Sequence, residues 1–246
     1  MATAAPLFVC DRGELARDVV LLAGAESRHA VSARRITQGE RVDLTDGAGL
    51  VAECIVTGAR PGQLELAVLR RRTEAAPAPR LIVVQAILKG DATALAVDLM
   101  TQVGVDAIVP WAAERSVPRW QSDRQGAAVG RLRSTAIQAA KQSRRAHFPE
   151  VGELARTDGA VAVAAGAATA LLLDPAAPAA LAAAELPAAG DIVLVVGPEG
   201  GVSPAEAEAF TTVGAVGVRL GPTVLRGSSA GAVASSLILA RSGRWA

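Results

Sequence analysis

Val193-Leu194-Val195-Val196-Gly197-Pro198-Glu199-Gly200-Gly201-Val202-Ser203-Pro204-Ala205-Glu206 decides how the chain folds. The leading apolar run, rich in β-branched valine, reads as a buried strand. It breaks at Gly-Pro and restarts as a helix. Ser203 suits the N-cap, Pro204 the first helical position, and Glu206 completes a capping box. Strand, glycine-rich turn and helix in succession form the repeating unit of an α/β sheet. In open sheets of this class, ligands bind beyond the carboxyl ends of the strands. Gly197, Gly200 and Gly201 let a ligand lie against the backbone. A tight turn explains one such glycine well and three poorly.

The design recurs at Val218-Arg219-Leu220-Gly221-Pro222-Thr223-Val224-Leu225-Arg226-Gly227-Ser228-Ser229-Ala230. Two strand ends with Gly-Pro turns make two walls of one pocket. Val224 and Leu225 would meet an aromatic ring such as adenine. No G-x-G-x-x-G follows a strand and no G-x-x-x-x-G-K-[ST] occurs, so the ligand is expected to bind without a phosphate cradle. S-adenosylmethionine meets that requirement. The candidate cofactor-binding set is Leu172, Leu173, Gly197, Pro198, Glu199, Gly200, Leu220, Gly221, Val224, Leu225 and Ala230. Gly227-Ser228-Ser229-Ala230-Gly231 matches the nucleophile-elbow pattern, but that triad needs a later histidine. None follows His147, which excludes a hydrolase of that kind.

Upstream, the periodicity predicts an α/β domain over 81–246. Strands are expected at Leu81–Ala86, Ala107–Pro110, Ala170–Leu173, Ile192–Val196 and Val216–Leu220. Helices are expected at Asp91–Val103, Asp123–Arg144, Ser203–Thr211 and Ser228–Arg241. Alternation of this kind means a mostly parallel sheet. Residues 1–73 differ, with short strands at Val19–Leu22, Arg41–Thr45, Leu50–Val56 and Gln63–Leu69 and a helical turn at Glu26–Ala33. Gly and Pro punctuation between them suggests a small β-barrel. The proline-stiffened segment 74–80 reads as a linker.

No apolar stretch reaches the roughly 18 residues that a spanning helix needs. Met1–Arg12 lacks the basic and apolar regions of a secretory signal, so a cytoplasmic protein is expected. Cys10 and Cys54 have no metal-site spacing and read as buried reduced thiols. With His29 and His147 as the histidines, no metal is expected.

The formal net charge of +1 hides an uneven distribution. Arg115, Arg119, Arg124, Arg131, Arg133, Lys141, Arg144 and Arg145 fall within one stretch whose single acid is Asp123. From Val151 to Val218 the basic residue is Arg156 alone. A concentrated basic stripe is the footprint of a polyanionic partner. On one continuous helix, Arg131, Gln138, Gln142 and Arg145 would share a face.

These segments, in this order, resemble the 16S ribosomal RNA uridine-N3 methyltransferase family of the SPOUT class. The resemblance rests on Val196-Gly197-Pro198-Glu199-Gly200-Gly201, on Leu220-Gly221-Pro222 with Leu225-Arg226, and on Gln142-Ser143-Arg144. Similar pieces are His29 with Arg34-Arg35, Asp46-Gly47, Leu88-Lys89-Gly90, Gly104-Val105 and Glu114-Arg115-Ser116-Val117. The resemblance implies a PUA-like RNA-binding barrel, a trefoil-knotted domain at roughly 170–235 that holds S-adenosylmethionine, and a homodimer. It implies 16S rRNA or the small ribosomal subunit as partner, rather than DNA or a membrane. By the same likeness Arg34, Arg35, Arg131, Gln142, Ser143 and Arg145 would contact RNA. Arg226, Arg144 and Arg115 would stabilise charge in catalysis. The chain departs from the family at Thr223 and at Gly227–Ser229, where an arginine and a glutamate are usual. No side chain stands out as a general base. Methylation of another nucleotide, such as a ribose hydroxyl, and a non-catalytic RNA-binding or assembly role are the alternatives.

Overall fold

The computed structural model describes residues 5–120 and 122–245; the first four residues of the stretch read for a signal lie outside them. Two compact units emerge, Met1–Ala76 with Ala140–Phe148, and Pro77–Ala139 with Pro149–Ala246.

In the first unit, β1 (Leu7–Val9), β2 (Val19–Ala23), β3 (Arg41–Thr45), β4 (Leu50–Arg60) and β5 (Gln63–Thr73) form one sheet in the order β1-β3-β4-β5-β2. Only β1 pairs in parallel, with β3. The long β4–β5 hairpin carries irregularities at Glu53/Cys54 and Val56/Gly58, which bend it into a curled half-barrel. Val42, Leu44, Ala52, Cys54, Val56, Leu64 and Leu66 alternate along their strands and bury one face. β1 was not foreseen, because three residues show no period. Two short helices, α1 (Arg12–Leu15) and α2 (Gly24–Arg28), lie in this unit, and α2 runs into a π-helical turn at His29–Ala33.

The segment 140–148 belongs to this unit through specific bonds. Ala48 and His147 form an antiparallel bridge. Gly49 N–H donates to the Ala146 carbonyl (3.0 Å), and Phe148 N–H donates to that of Gly47 (2.8 Å). Gly49, at φ 102°, is required here: a Cβ would lie 2.7 Å from the His147 ring. Lys141 Nζ reaches both Glu26 oxygens at 2.7 and 2.8 Å and lies 5.7 Å from the Phe8 ring centroid.

The second unit holds β6 (Arg80–Ala86), α3 (Ala92–Val103), β7 (Ala107–Trp111), β8 (Glu150–Val151), α5 (Thr157–Ala165), β9 (Thr169–Leu173), β10 (Asp191–Val196), α6 (Pro204–Thr212), β11 (Val216–Val218) and α7 (Gly227–Arg241). α4 spans Ser122–Gln142. The sheet order is β11-β9-β10-β6-β7-β8, and every pairing is parallel. Both faces are covered, which explains the continuous apolar strands. Leu81, Val83, Ile192 and Leu194 pack with residues of α3 and α7. Ile82, Val84, Val193 and Val195 pack with Ala160, Ala164 and Phe210 of α5 and α6. Trp111 meets Phe210 edge to face, with centroids 5.3 Å apart.

Several expected boundaries shift: β4 and β5 run on past Val56 and Leu69 to Arg60 and Thr73, and two further shifts bear on the site. The helix expected to reach Arg144 stops at Gln142, because Arg144 turns left-handed at φ 58°. Arg145 therefore leaves the helical face on which Arg131 and Gln138 sit. The strand expected to reach Leu220 stops at Val218; Arg219 instead bridges Ala180.

Burial, followed by the charge of Asp43, pushes the Cys54 thiol up to about 12. Burial also raises Cys10. A raised thiol pKa leaves the unreactive neutral form at pH 8. A maleimide at that pH should label Cys54 only after denaturant is added, as intact-mass spectrometry will read; rapid native labelling would contradict the buried assignment.

Candidate functional site

The parallel register brings three strand ends level. Leu172 of β9 lies opposite both Val195 of β10 and Gly217 of β11, and Leu173 lies opposite Val218. The chain therefore leaves the sheet at Leu173, Val196 and Val218 along one rim. A cavity of about 290 Å³ opens there.

Its first wall is the turn after β10. Gly197 sits so tightly that a Cβ would lie 2.7 Å from Val202 Cγ2. Gly201 has φ 74°, and its N–H donates to the Pro198 carbonyl (2.9 Å). The wall is held by the capping box of α6, in which Ser203 and Glu206 bond reciprocally. Glu206 is 4% exposed and does more than cap. Its Oε1 accepts from Glu114 N–H (2.8 Å) and from the Thr157 hydroxyl (3.0 Å). Glu199 Oε1 accepts from Lys89 N–H at 3.2 Å.

The second wall is Leu220–Leu225. Val224 is 78% exposed although apolar. A Cβ on Gly221 would meet nothing within 4 Å, so this backbone faces open space. Gly227, at the start of α7, packs under Leu88, where a Cβ would lie 2.9 Å from Cδ2. Leu172, Leu173, Asp174 and Pro175 lie between the walls.

A family model described as an RNA methyltransferase domain matches residues 75–239, and an RNA methyltransferase PUA domain matches residues 22–69. A ribosomal RNA small subunit methyltransferase E from Mycobacterium bovis is 42% identical over 98% of this chain and 94% of its own length. One of the same name from Bacillus subtilis is 26% identical over 88% of each. The crystal structure of a ribosomal RNA small subunit methyltransferase E from Neisseria gonorrhoeae bound to S-adenosyl methionine superposes with a TM-score of 0.86. It shares 24% identity, covering 97% of this chain and 98% of that one.

The chain belongs to the ribosomal RNA small subunit methyltransferase E family.

In this family member, ten of the eleven residues expected to bind a cofactor line the rim cavity: Leu172, Leu173, Gly197, Pro198, Glu199, Leu220, Gly221, Val224, Leu225 and Ala230. Gly200 does not. Its carbonyl accepts from Arg115 Nη1 (3.3 Å), and its Cα faces the Arg115 side chain. Sequence reasoning missed Asp174, Pro175, Val202, Ala207 and Thr223, which also line the cavity. The break of an apolar strand at Asp174-Pro175 was the available signal for two of them.

The basic stripe separates into different roles. Lys141 is buried against Glu26, with its side chain 8% exposed. Arg133 bonds Glu153 Oε1 (2.7 Å) and the Val151 carbonyl (2.9 Å). Arg119 donates to the Ser116 and Glu114 carbonyls. Arg131 is exposed and has no ion-pair partner among the described residues. In the first unit, Arg34, Arg35, Gln142 and Arg144 are exposed, while Ser143 and Arg145 are half-buried. Burial and Glu53 push the Asp43 carboxyl up, against Arg72, Arg144 and Arg41, which hold it down. Arg115 and Arg226 belong to the second unit, where Arg226 is the exposed N-cap residue of α7. Among the described residues no group of three or more metal-ligating side chains occurs, and no helix is long and apolar enough to cross a membrane.

Glu206 ties the α6 capping box to Glu114 and Thr157, so its loss strands several donors at once. Each bond to a buried charge is worth about 1.5–3 kcal/mol. Glu206→Ala should lower Tm by roughly 5–10 °C in a thermal melt, at about 2–4 °C per kcal/mol for a chain of this size. Glu206→Gln should cost less, and an unchanged Tm for the alanine variant would remove Glu206 as the anchor.

Proposed function

We propose that this protein transfers the methyl group of S-adenosylmethionine to N3 of a uridine in 16S ribosomal RNA, as a cytoplasmic homodimer. The observation that carries the reading is the cavity on the rim of β9, β10 and β11. Backbone turns and apolar side chains line it, and among the described residues no basic side chain does. A phosphate-bearing cofactor would face the carboxylates of Asp174 and Glu199 there without a cation to offset them. A phosphate-free sulfonium compound meets no such conflict, so these residues fit S-adenosylmethionine. Leu172, Leu173, Leu220, Val224, Leu225 and Ala230 would pack against its apolar parts, and Gly221 would give it close access to the backbone.

When bound, S-adenosylmethionine supplies an electrophilic methyl group. The chain's own task is to orient the base and offset charge. As the N3 proton leaves, negative charge develops on the uracil ring, and guanidinium groups lower the cost of that charge. Arg226 and Arg115, both of the second unit, are the candidates. Residues 1–73, with Arg34 and Arg35, would bind RNA, 74–80 would connect, and 81–246, apart from the segment 140–148, would hold the chemistry. Arg131, Gln142, Ser143 and Arg145 would add contacts to RNA. Two features support a dimer and a knot. Leu95 of α3 and Val233 of α7 remain exposed. After edge strand β11, α7 returns across β10 and β6 to α3, a path compatible with threading.

Incubated with labelled S-adenosylmethionine and small-subunit rRNA from a strain lacking the enzyme, the protein should transfer one methyl group, at a uridine N3. Nucleoside mass spectrometry will identify the product. A ribose-methylated nucleoside would move the reading to the alternative chemistry, and no transfer would contradict it. Gly221→Val should reduce cofactor affinity at least 100-fold by calorimetry with Tm unchanged, because its side chain enters the cavity and no neighbour. Gly197→Val should instead lower Tm, because its side chain strikes Val202. Unaltered affinity in Gly221→Val would sink the cavity assignment.

A further inference from the structure

Among the described residues, two non-glycine positions have positive φ, and both are exposed arginines in the first unit: Arg35 at 54° and Arg144 at 58°. Left-handed backbone is unfavourable for a residue with a Cβ, and helices that end this way usually place glycine or asparagine there. This chain follows that rule elsewhere. α3, α6 and α7 close on Gly104 (φ 110°), Gly214 (φ 93°) and Gly243 (φ 76°). In each, the next N–H reaches back five residues, from Val105 to Met100 (3.1 Å), Ala215 to Phe210 (3.0 Å) and Arg244 to Leu239 (3.1 Å). α4 closes with the same bond, from Arg145 to Ala140 (3.0 Å), yet carries Arg144 where its three counterparts carry glycine. The π-helical turn closes around Arg35 with a wider reach, six residues back from Ile36 N–H to the Ala30 carbonyl (3.1 Å).

The surroundings hold both residues in place. Arg35 precedes Ile36, which is buried. Arg144 lies between two anchors, the Lys141–Glu26 ion pair on one side and the bridge of 146–148 to 47–49 on the other. Strain that persists because its neighbours over-determine it points to a functional use of the side chain.

We propose that Arg35 and Arg144 occupy glycine positions because their guanidinium groups contact RNA phosphates, so that the RNA-binding unit gives up stability at these two points for affinity. The proposal rests on RNA being the substrate. It makes the RNA-binding unit discontinuous, with 140–148 completing it. Arginine suits the role, since its planar fork pairs bidentately with phosphate oxygens.

The test uses the full chain and 16S rRNA transcribed in vitro. Arg35→Gly and Arg144→Gly are compared with wild type and with Arg60→Ala, which removes one exposed charge from the same unit. Tm, RNA affinity at several salt concentrations and S-adenosylmethionine affinity are measured. Each glycine variant should raise Tm by about 1–4 °C, the strain relieved being partly offset by the freedom that glycine adds to the unfolded chain. Each should weaken RNA binding at least fivefold and flatten its salt dependence, since fewer counterions are released. Cofactor affinity should not change, and Arg60→Ala should weaken RNA binding by less than twofold. A lower Tm in both glycine variants would show that the arginines suit their backbone and overturn the exchange. A higher Tm with unchanged RNA affinity would overturn the phosphate contact. Equal loss in Arg60→Ala would reduce the effect to net charge. Failure of the wild type itself to bind this RNA would instead count against the proposed substrate.

Discussion

The parallel pairing of β9 with both β10 and β11 is the constraint from which the rest of the site follows. Because Leu172 is level with Val195 and Gly217, three chains leave the sheet along one line. Each must then turn sharply, and two do so through Gly-Pro. The turns expose backbone to the cavity between them, and the helices that follow return their apolar faces to the sheet. Had β11 paired one residue further along, Val218 would have turned from the core to the opposite face of the sheet. Glu206 holds the first wall from behind by joining the α6 cap to the loop that carries Glu114 and to Thr157 at the start of α5.

Much of this was legible because the signals were local. Val193–Val196 breaking at Gly197-Pro198, with Ser203, Pro204 and Glu206 in capping positions, specified strand, turn and helix without reference to any partner. The same pattern at Val218–Ala230 located the second wall. Contacts between residues distant in sequence were not legible. Gly200 looked like its neighbours Gly197 and Gly201, yet it turns toward Arg115, more than eighty residues away. Asp174 and Pro175 carried no ligand signature, and register alone places them between the walls. β1 is too short to show a period, and its parallel partner β3 lies far along the chain.

The basic stripe shows how composition overstates a surface. A run of cations with one acid suggested a single RNA-binding face along a helix. Lys141 and Arg133 are instead committed to Glu26 and Glu153, acids outside that run. The helix ends before Arg144, so the face does not continue through Arg145. The backbone is more discriminating than charge here. Arg35 and Arg144 stand apart because they occupy a conformation that, among the described residues, is otherwise held by glycine.

The central claim is that the rim of β9, β10 and β11 holds the methyl donor. A crystal structure of the protein grown with S-adenosylmethionine tests it most directly. The account predicts electron density for one molecule per chain between the turns Gly197–Val202 and Leu220–Leu225, in contact with Leu172 or Leu173. Density for the molecule at any other place in the fold, with this cavity filled only by water, would contradict it.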